Sequence, residues 1–163
     1  MKIAVVGDII VSSGLLAEAA KSLNIDDEPE IKEIIWNADD RKDFQKKALN
    51  IETRGPEAEE IPEELYTEIK DTDILLVHFC PVPRKLIERA QNLKLIGTCR
   101  GGLEHVDVEA ATEKNIPVMH VIRNAEATSD FAVGLMFAET RNIARAHAAM
   151  KQGIWRKEYV NSA

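Results

Sequence analysis

Residues 93–118 read LKLIGTCRGGLEHVDVEAATEKNIPV, and the order of residue types in this stretch decides the fold. An apolar run is followed by two adjacent glycines, by a segment with helical spacing, and by a second apolar run. A strand, a connecting helix and a second strand in this order form a βαβ unit with two parallel strands. The stretch therefore predicts a parallel sheet with a glycine loop at the carboxyl end of one strand.

The same alternation runs through the rest of the chain. Apolar runs predict strands at 2–7, 30–36, 73–79, 94–99 and 116–122, and helical spacing predicts helices at 12–24, 40–50, 63–71, 82–91 and 107–115. The run DILLVHF (73–79) is almost wholly apolar, which is typical of a strand buried on both faces of a parallel sheet. The pattern predicts an α/β fold, an open parallel sheet of about five strands with helices on both faces, followed by one long helix over 125–152 that ends at Gly153.

Composition and charge exclude several classes of function. A length of 163 residues suggests one domain, or one domain with an appendage. The net charge of −7 argues against a nucleic-acid-binding protein, and no apolar run approaches the roughly 20 residues of a membrane helix. Two cysteines, Cys80 and Cys99, are too few for a disulfide framework or a metal site, and the four histidines lack metal-ligand spacing. We expect a cytoplasmic protein with buried, reduced thiols and no bound metal.

The candidate site lies where strands end, because ligands of open α/β sheets bind beyond the carboxyl ends of the strands. Arg100, Gly101 and Gly102 offer successive backbone N–H groups with little side-chain bulk, which can hold an oxyanion, and Arg100 adds a guanidinium suited to carboxylate or phosphate. The alternative is a simple tight turn with Arg100 in water. Cys80 and Cys99 follow strands that we expect to be neighbours, so these two residues are expected to lie close together.

Among the histidines, His105 stands beside the glycine loop and is the one worth testing for function. His78 and His120 lie inside apolar runs, where a structural histidine with satisfied hydrogen bonds is expected instead. The sequence contains neither G-x-G-x-x-G nor G-x-x-x-x-G-K-[ST]. It therefore predicts neither a dinucleotide-binding site nor a phosphate-binding P-loop.

Three ordered blocks of the sequence resemble the D-isomer-specific 2-hydroxyacid dehydrogenases, the family of phosphoglycerate, glycerate and formate dehydrogenases. The first is DILLVHFCPVPRKLIERAQNLKLIG (73–97), the second is the stretch at 93–118, and the third is NAEATSDFAVGLMFAETRNIARAHAAMKQGIW (124–155). In the third block Ser129 stands in place of the usual alanine and Asp130 in place of the usual glutamate. The resemblance covers residues 73–155 well and the first 60 residues only in general layout.

The resemblance implies a flavodoxin-like substrate domain over 1–123 and, over 124–163, a long helix and tail that begin an NAD(P)-binding domain. It implies that the substrate, a small 2-keto or 2-hydroxy acid, is bound by Phe79, Cys80, Arg100, Gly101, Gly102 and Asn124. Thr128 would face the nicotinamide of NAD or NADP, the domains would hinge near residues 122–124, and the long helix would form a homodimer interface.

The same resemblance places the catalytic Arg-Glu-His set and the dinucleotide motif after the Gly-x-Trp block, whereas this sequence ends at Ala163. We therefore expect no catalytic residue in this chain, and expect the chain to be an inactive fragment of the intact enzyme. The alternative is a free-standing module that binds or senses small organic acids. A receiver-like signalling domain would need an aspartate after the 73–79 strand, where Phe79-Cys80-Pro81 stands instead.

Overall fold

The structure, a computed structural model, describes residues 1–23 and 28–159. Within these ranges it contains five strands: β1 (Lys2–Gly7), β2 (Glu30–Ile35), β3 (Ile74–Val77), β4 (Leu95–Thr98) and β5 (Val118–Met119). They form one sheet in the order β2-β1-β3-β4-β5, and every neighbouring pair is parallel. The predicted α/β fold with a parallel sheet of about five strands is confirmed.

The described residues also form seven α-helices and one short 3-10 turn at Pro56–Ala58. The helices are α1 (Ser13–Lys21), α2 (Arg41–Arg54), α3 (Glu63–Glu68), α4 (Arg84–Arg89), α5 (Val108–Glu113), α6 (Ala125–Thr140) and α7 (Ile143–Lys151). Side-chain oxygens cap three of them, because Ser12, Asp40 and Asp107 accept hydrogen bonds from first-turn amides of α1, α2 and α5. Asn24, the last residue of the helix predicted over 12–24, lies outside the described residues.

The sheet separates two hydrophobic clusters because successive side chains of a strand point to opposite faces. Ile3 and Val5 of β1 pack with α1 in the smaller cluster. Ala4 and Val6 of the same strand join the larger cluster, which includes residues of α2, α3, α4 and α5. Strand β1 is therefore buried on both faces, and it holds the layers of the fold together.

Helix α1 packs directly against the carboxyl end of β1, and Gly7 permits this approach. A β-carbon at Gly7 would lie 2.5 Å from the carbonyl carbon of Ser12 and 2.7 Å from Cα of Ser13. Both are backbone atoms at the start of α1, so they cannot move aside as a flexible side chain could. The contact requires a residue without a side chain at position 7.

The last strand is much shorter than the sequence predicts. Apolar residues at 116–122 predict a strand, whereas β5 contains only Val118 and Met119. Pro117 has no N–H and contributes only its carbonyl, which accepts a hydrogen bond from the Ile96 amide at 3.0 Å. Strand β5 pairs with β4 at only two positions, Val118 opposite Ile96 and Met119 opposite Gly97, and the prediction for 116–122 is wrong over most of its length.

The chain divides into two compact units, one covering Met1–Arg123 and one beginning at Asn124. In the second unit the single helix predicted over 125–152 is wrong, because the chain forms α6 and α7 with Asn142 between them. Asn142 has the left-handed backbone conformation (φ 58°), which asparagine tolerates better than most residues and which ends a helix. Apolar spacing continues across the break, so periodicity alone does not reveal it. Gly153 (φ 73°) follows the end of α7, as predicted.

In the described residues, no helix combines the length and the apolar character that crossing a bilayer requires.

Candidate functional site

Three loops lie together at the carboxyl-terminal side of the sheet, where β1, β3 and β4 end, because these three strands are parallel neighbours. The first follows Gly7, the second follows Val77, and the third follows Thr98. The last of these contains the two adjacent glycines. This side of the sheet is where a ligand of an open α/β sheet is expected.

The glycine loop is anchored at its start and leaves its amides free. The Arg100 amide donates to Oγ1 of Thr98 at 3.2 Å, and the Arg100 carbonyl accepts from the Val121 amide at 3.2 Å. Within the described chain, the N–H groups of Gly101 and Gly102 donate to no protein acceptor. Gly101 is exposed and Gly102 is half-buried, so both amides can reach a ligand. Two successive free N–H groups of this kind suit an oxyanion.

Gly102 lies beside the carboxylate of Glu104. A β-carbon at this position would lie 2.5 Å from Oε1 of Glu104 and 2.7 Å from Cδ of the same side chain. Glu104 is exposed, and the atoms that a β-carbon would meet are the far end of its side chain, so this side chain has room to move aside. The glycine therefore leaves the carboxylate of a neighbouring residue close to the loop backbone.

Arg100 is a partly buried side chain with specific contacts, which answers the alternative that it simply extends into water. Its guanidinium lies 4.0 Å from the ring centroid of Phe79. Its Nη2 donates to Oε1 of Glu52, near the end of α2, at 3.0 Å. Its Nε is buried and has no hydrogen-bond partner in the described structure. Glu52 has no distinctive sequence pattern around it, and sequence reasoning missed it.

Phe79 and Cys80, expected near the substrate, follow β3 and are both buried. Phe79 has edge-on contacts with Phe44 and His78 and a tilted contact with His105. The Cys80 thiol is fully buried, and this burial raises its pKa. Because the Phe79 ring and the Cys80 sulfur are both buried, neither side chain can contact a ligand unless it moves. Without such a rearrangement, these two residues can contact a ligand only through their backbone.

The two cysteines follow neighbouring strands, as predicted, but their side chains pack on opposite faces of the sheet. Cys80 belongs to the larger hydrophobic cluster, whereas Cys99 packs against the smaller cluster on the opposite face of the sheet. Burial also raises the pKa of Cys99. Both are free thiols, and thiols with a raised pKa are poor nucleophiles near neutral pH.

His105 is buried and connects to the glycine loop through Thr98. Its Nε2 lies 2.8 Å from Oγ1 of Thr98, the same oxygen that accepts from the Arg100 amide. Burial, with smaller contributions from the positive charges of Arg100 and His78, lowers the pKa of His105 to about 4. The ring is therefore neutral near pH 7. Its Nδ1 is buried without a partner in the described residues.

A buried pair of Asp8 and His78 joins the ends of β1 and β3. Nδ1 of His78 donates to Oδ2 of Asp8 at 2.7 Å, and Oδ1 of Asp8 accepts from the amides of Ile10 and Val11. Burial alone would raise the pKa of Asp8, but the hydrogen bonds from His78 and the two amides outweigh it and lower the pKa. His78 is thus a buried structural histidine, but the prediction that its hydrogen bonds are satisfied is met only at Nδ1, because Nε2 is buried without a partner in the described residues. Sequence reasoning missed its partner, although Asp8 directly follows the glycine that ends β1.

The same pair bears on cofactor binding at the end of β1. A dinucleotide pyrophosphate needs free amides and open space at a strand-to-helix turn. Here the amides of Ile10 and Val11 are bound by Asp8, and the start of α1 fills the space beside Gly7. The described residues of this turn do not fit NAD or NADP.

The other predicted residues belong to the second unit. Asn124 precedes α6, and its carbonyl accepts from the Thr128 amide at 3.0 Å. Both residues are exposed within their unit. Residues 1–23 and 28–159 contain no cluster of three His, Cys, Asp or Glu side chains that could hold a metal ion.

Comparison with known proteins identifies related sequences. Residues 31–156 match the family model described as D-isomer specific 2-hydroxyacid dehydrogenase, catalytic domain. The chain is 43% identical over 95 residues to a D-3-phosphoglycerate dehydrogenase of Methanocaldococcus jannaschii, covering 57% of this chain and 18% of that protein. It is 38% identical over 98 residues to a hydroxypyruvate reductase of Thermotoga maritima, covering 59% of this chain and 32% of that protein. The matched part thus spans about a third or less of these relatives.

A solved structure shows the same fold at low sequence identity. A protein from Pyrococcus horikoshii aligns with 94% of this chain and 38% of its own at a TM-score of 0.62 and 22% identity. At this level of identity the likeness concerns the fold alone.

Proposed function

Because this chain belongs to the D-isomer specific 2-hydroxyacid dehydrogenase family, we propose that it forms the substrate-binding part of an oxidoreductase. The proposed reaction interconverts a D-2-hydroxy acid and the corresponding 2-keto acid with NAD or NADP. Two relatives, a D-3-phosphoglycerate dehydrogenase and a hydroxypyruvate reductase, support this class of substrate.

One observation carries the proposal: the amides of Gly101 and Gly102 have no internal acceptor in the described structure. They stand at the sheet edge that suits a ligand, and a carboxylate can accept both hydrogen bonds. Hydrogen bonds to a charged acceptor of this kind stabilise a bound acid by about 1.5–3 kcal/mol each. The role of the loop is to fix the carboxylate so that C2 of the acid has a defined position.

The neutral His105 and the hydroxyl of Thr98 support this loop. Thr98 Oγ1 accepts a hydrogen bond from the Arg100 amide, and His105 Nε2 contacts the same oxygen. Both residues therefore position the backbone of Arg100, directly before the glycines. They are positioning residues in this proposal, because neither is assigned a contact with the substrate.

The residues of the turn after β1 do not fit NAD or NADP, so other residues must bind the cofactor. In the proposed enzyme a dinucleotide-binding domain holds NAD or NADP, and the cofactor supplies the hydride chemistry. We propose that Asn124 lies near the substrate and that Thr128 faces the nicotinamide, as the family resemblance implies.

The test is a titration of the ¹⁵N-labelled chain with glycolate and pyruvate, followed by amide chemical shifts. The expected result is saturable shifts of the Gly101 and Gly102 amides, with acetamide, which lacks the carboxylate, as the control. Shifts centred elsewhere in the chain, or none at saturating acid, would contradict the proposal.

A further inference from the structure

Arg100 is held in a fixed position rather than left free to find an anion. The guanidinium stacks 4.0 Å from the centroid of Phe79, and Nη2 donates to Glu52 at 3.0 Å. Only 22% of the Arg100 side chain is exposed. Stacking on an aromatic ring and pairing with a carboxylate both restrict a side chain that is otherwise rich in rotamers.

The backbone of Arg100 is fixed as well. Its amide and carbonyl bond to Thr98 and Val121, and the free amides of Gly101 and Gly102 follow immediately. An acid whose carboxylate is bound by those amides therefore has its remaining carbon chain within side-chain reach of Arg100. The groups that meet this carbon chain determine which acids are accepted.

The charge of the Arg100–Glu52 pair favours one kind of carbon chain over another. The pair is formally neutral, because the Glu52 carboxylate balances the guanidinium. A phosphate or a second carboxylate would either face the negative charge of Glu52 or displace it. A hydroxyl group meets no such repulsion, since it can donate to the carboxylate and accept from the guanidinium.

We propose that the Arg100–Glu52 pair makes this site selective for 2-hydroxy or 2-keto acids with an uncharged, polyhydroxylated tail, and against acids with a second anionic group. The inference rests on the proposed function, because it places the acid's carboxylate on the glycine amides. It adds the class of substrate and assigns Arg100 and Glu52 as specificity-determining residues.

The experiment compares three acids that share a carboxylate and a 2-hydroxyl group. Glycolate has no tail, D-gluconate has a neutral polyhydroxylated tail, and 3-phospho-D-glycerate has a second anion. Dissociation constants are measured by amide shifts for the wild-type chain, Glu52→Gln and Arg100→Gln at constant ionic strength. The control is Glu88→Gln, which removes one exposed carboxylate from α4 and so changes the net charge equally. Circular dichroism checks that each variant is folded.

For the wild-type chain we expect D-gluconate to bind about tenfold more tightly than glycolate, and 3-phospho-D-glycerate no more tightly than glycolate. Glu52→Gln keeps hydrogen-bonding atoms but removes the negative charge, so 3-phospho-D-glycerate should gain about tenfold while Glu88→Gln has no such effect. Arg100→Gln should abolish the advantage of D-gluconate.

Two outcomes overturn the inference at different levels. In the first outcome, glycolate binds at the glycine amides, but either the wild-type chain prefers 3-phospho-D-glycerate or Glu52→Gln leaves the order of the three affinities unchanged. This outcome contradicts the selectivity proposal and leaves the proposed function intact. If glycolate does not bind at the glycine amides, the proposed function fails, and the inference fails with it.

Discussion

At the scale of single residues, His105 shows how burial controls a titratable group beside the candidate site. The side chain is 1% exposed, and its pKa of about 4 lies below the ordinary value of 6.5. As the pH falls, His105 is therefore protonated near pH 6.5 in the unfolded chain but only near pH 4 in the native protein. Between these values the unfolded state holds more protons, so stability falls as the pH decreases.

We predict that the free energy of unfolding decreases by about 3 kcal/mol between pH 7 and pH 4 because of this one residue. Replacing His105 with Gln should reduce the pH dependence by that amount, whatever its effect on stability at pH 7. Urea unfolding at several pH values measures the difference in slope, and His147→Gln, at an exposed position, is the control. Parallel curves for wild type and His105→Gln would show that His105 is not protected from protonation.

The amide of Gly101 is one of the two free donors of the glycine loop, and a substitution can remove it. Gly101→Pro removes the N–H, whereas Gly101→Ala keeps it and adds only one carbon at an exposed position whose φ is not positive. Loss of one charge-assisted hydrogen bond should weaken glycolate binding by about 10- to 100-fold in the proline variant only. Isothermal titration or amide shifts give the affinities. Equal affinities for the two folded variants would mean that this amide does not bind the acid.

At the scale of elements, the contact between α1 and the end of β1 depends on Gly7, and two glycines allow a matched comparison. Gly7 faces backbone atoms of Ser12 and Ser13, whereas a β-carbon at Gly14, inside α1, would have its nearest neighbour at 3.8 Å. The two positions are close in sequence but differ in the space available to a methyl group.

We predict opposite effects of alanine at the two glycines. Gly7→Ala should destabilise the protein by about 1–3 kcal/mol or more, because the backbone of α1 must move. Gly14→Ala should stabilise it by about 0.5–1 kcal/mol through helix propensity. Chemical denaturation of both variants provides the test, and a neutral Gly7→Ala would show that α1 does not pack against β1 as described.

At the scale of the whole molecule, the second unit exposes an unusual amount of apolar surface. Along α6, five large apolar side chains are about half exposed or more: Phe131, Val133, Leu135, Met136 and Phe137. Large exposed apolar surface of this kind usually marks an interface. The sequence predicts a homodimer through this region, and we retain that proposal for α6.

We predict that the chain forms a concentration-dependent dimer and that Phe137→Glu shifts it to monomer. A charge in the centre of an apolar interface is costly because it loses its hydration without gaining a partner. Sedimentation equilibrium gives the dissociation constants, and Ser129→Glu, the introduction of a charge at an exposed polar position of the same helix, is the control. A wild-type chain that remains monomeric at high concentration would contradict the proposal.

Local sequence patterns are enough to predict the alternation of strands and helices, the parallel sheet and the glycine loop at the end of β4. These features follow from local patterns, since apolar runs, capping residues and adjacent glycines act over a few positions. Periodicity failed where a single backbone conformation ends a helix, as at Asn142, and where the chain leaves the sheet after two paired residues, as at 116–122.

The residues that complete the site from distant parts of the chain are known only from the folded structure. Glu52 lies 48 residues before its partner Arg100, and Asp8 lies 70 residues before His78. Glu52 has no local pattern that distinguishes it from the many other acidic residues of the chain, and the packing of α2 brings it to Arg100. The parallel strand order places the ends of β1, β3 and β4 side by side, which brings the buried Asp8 to His78.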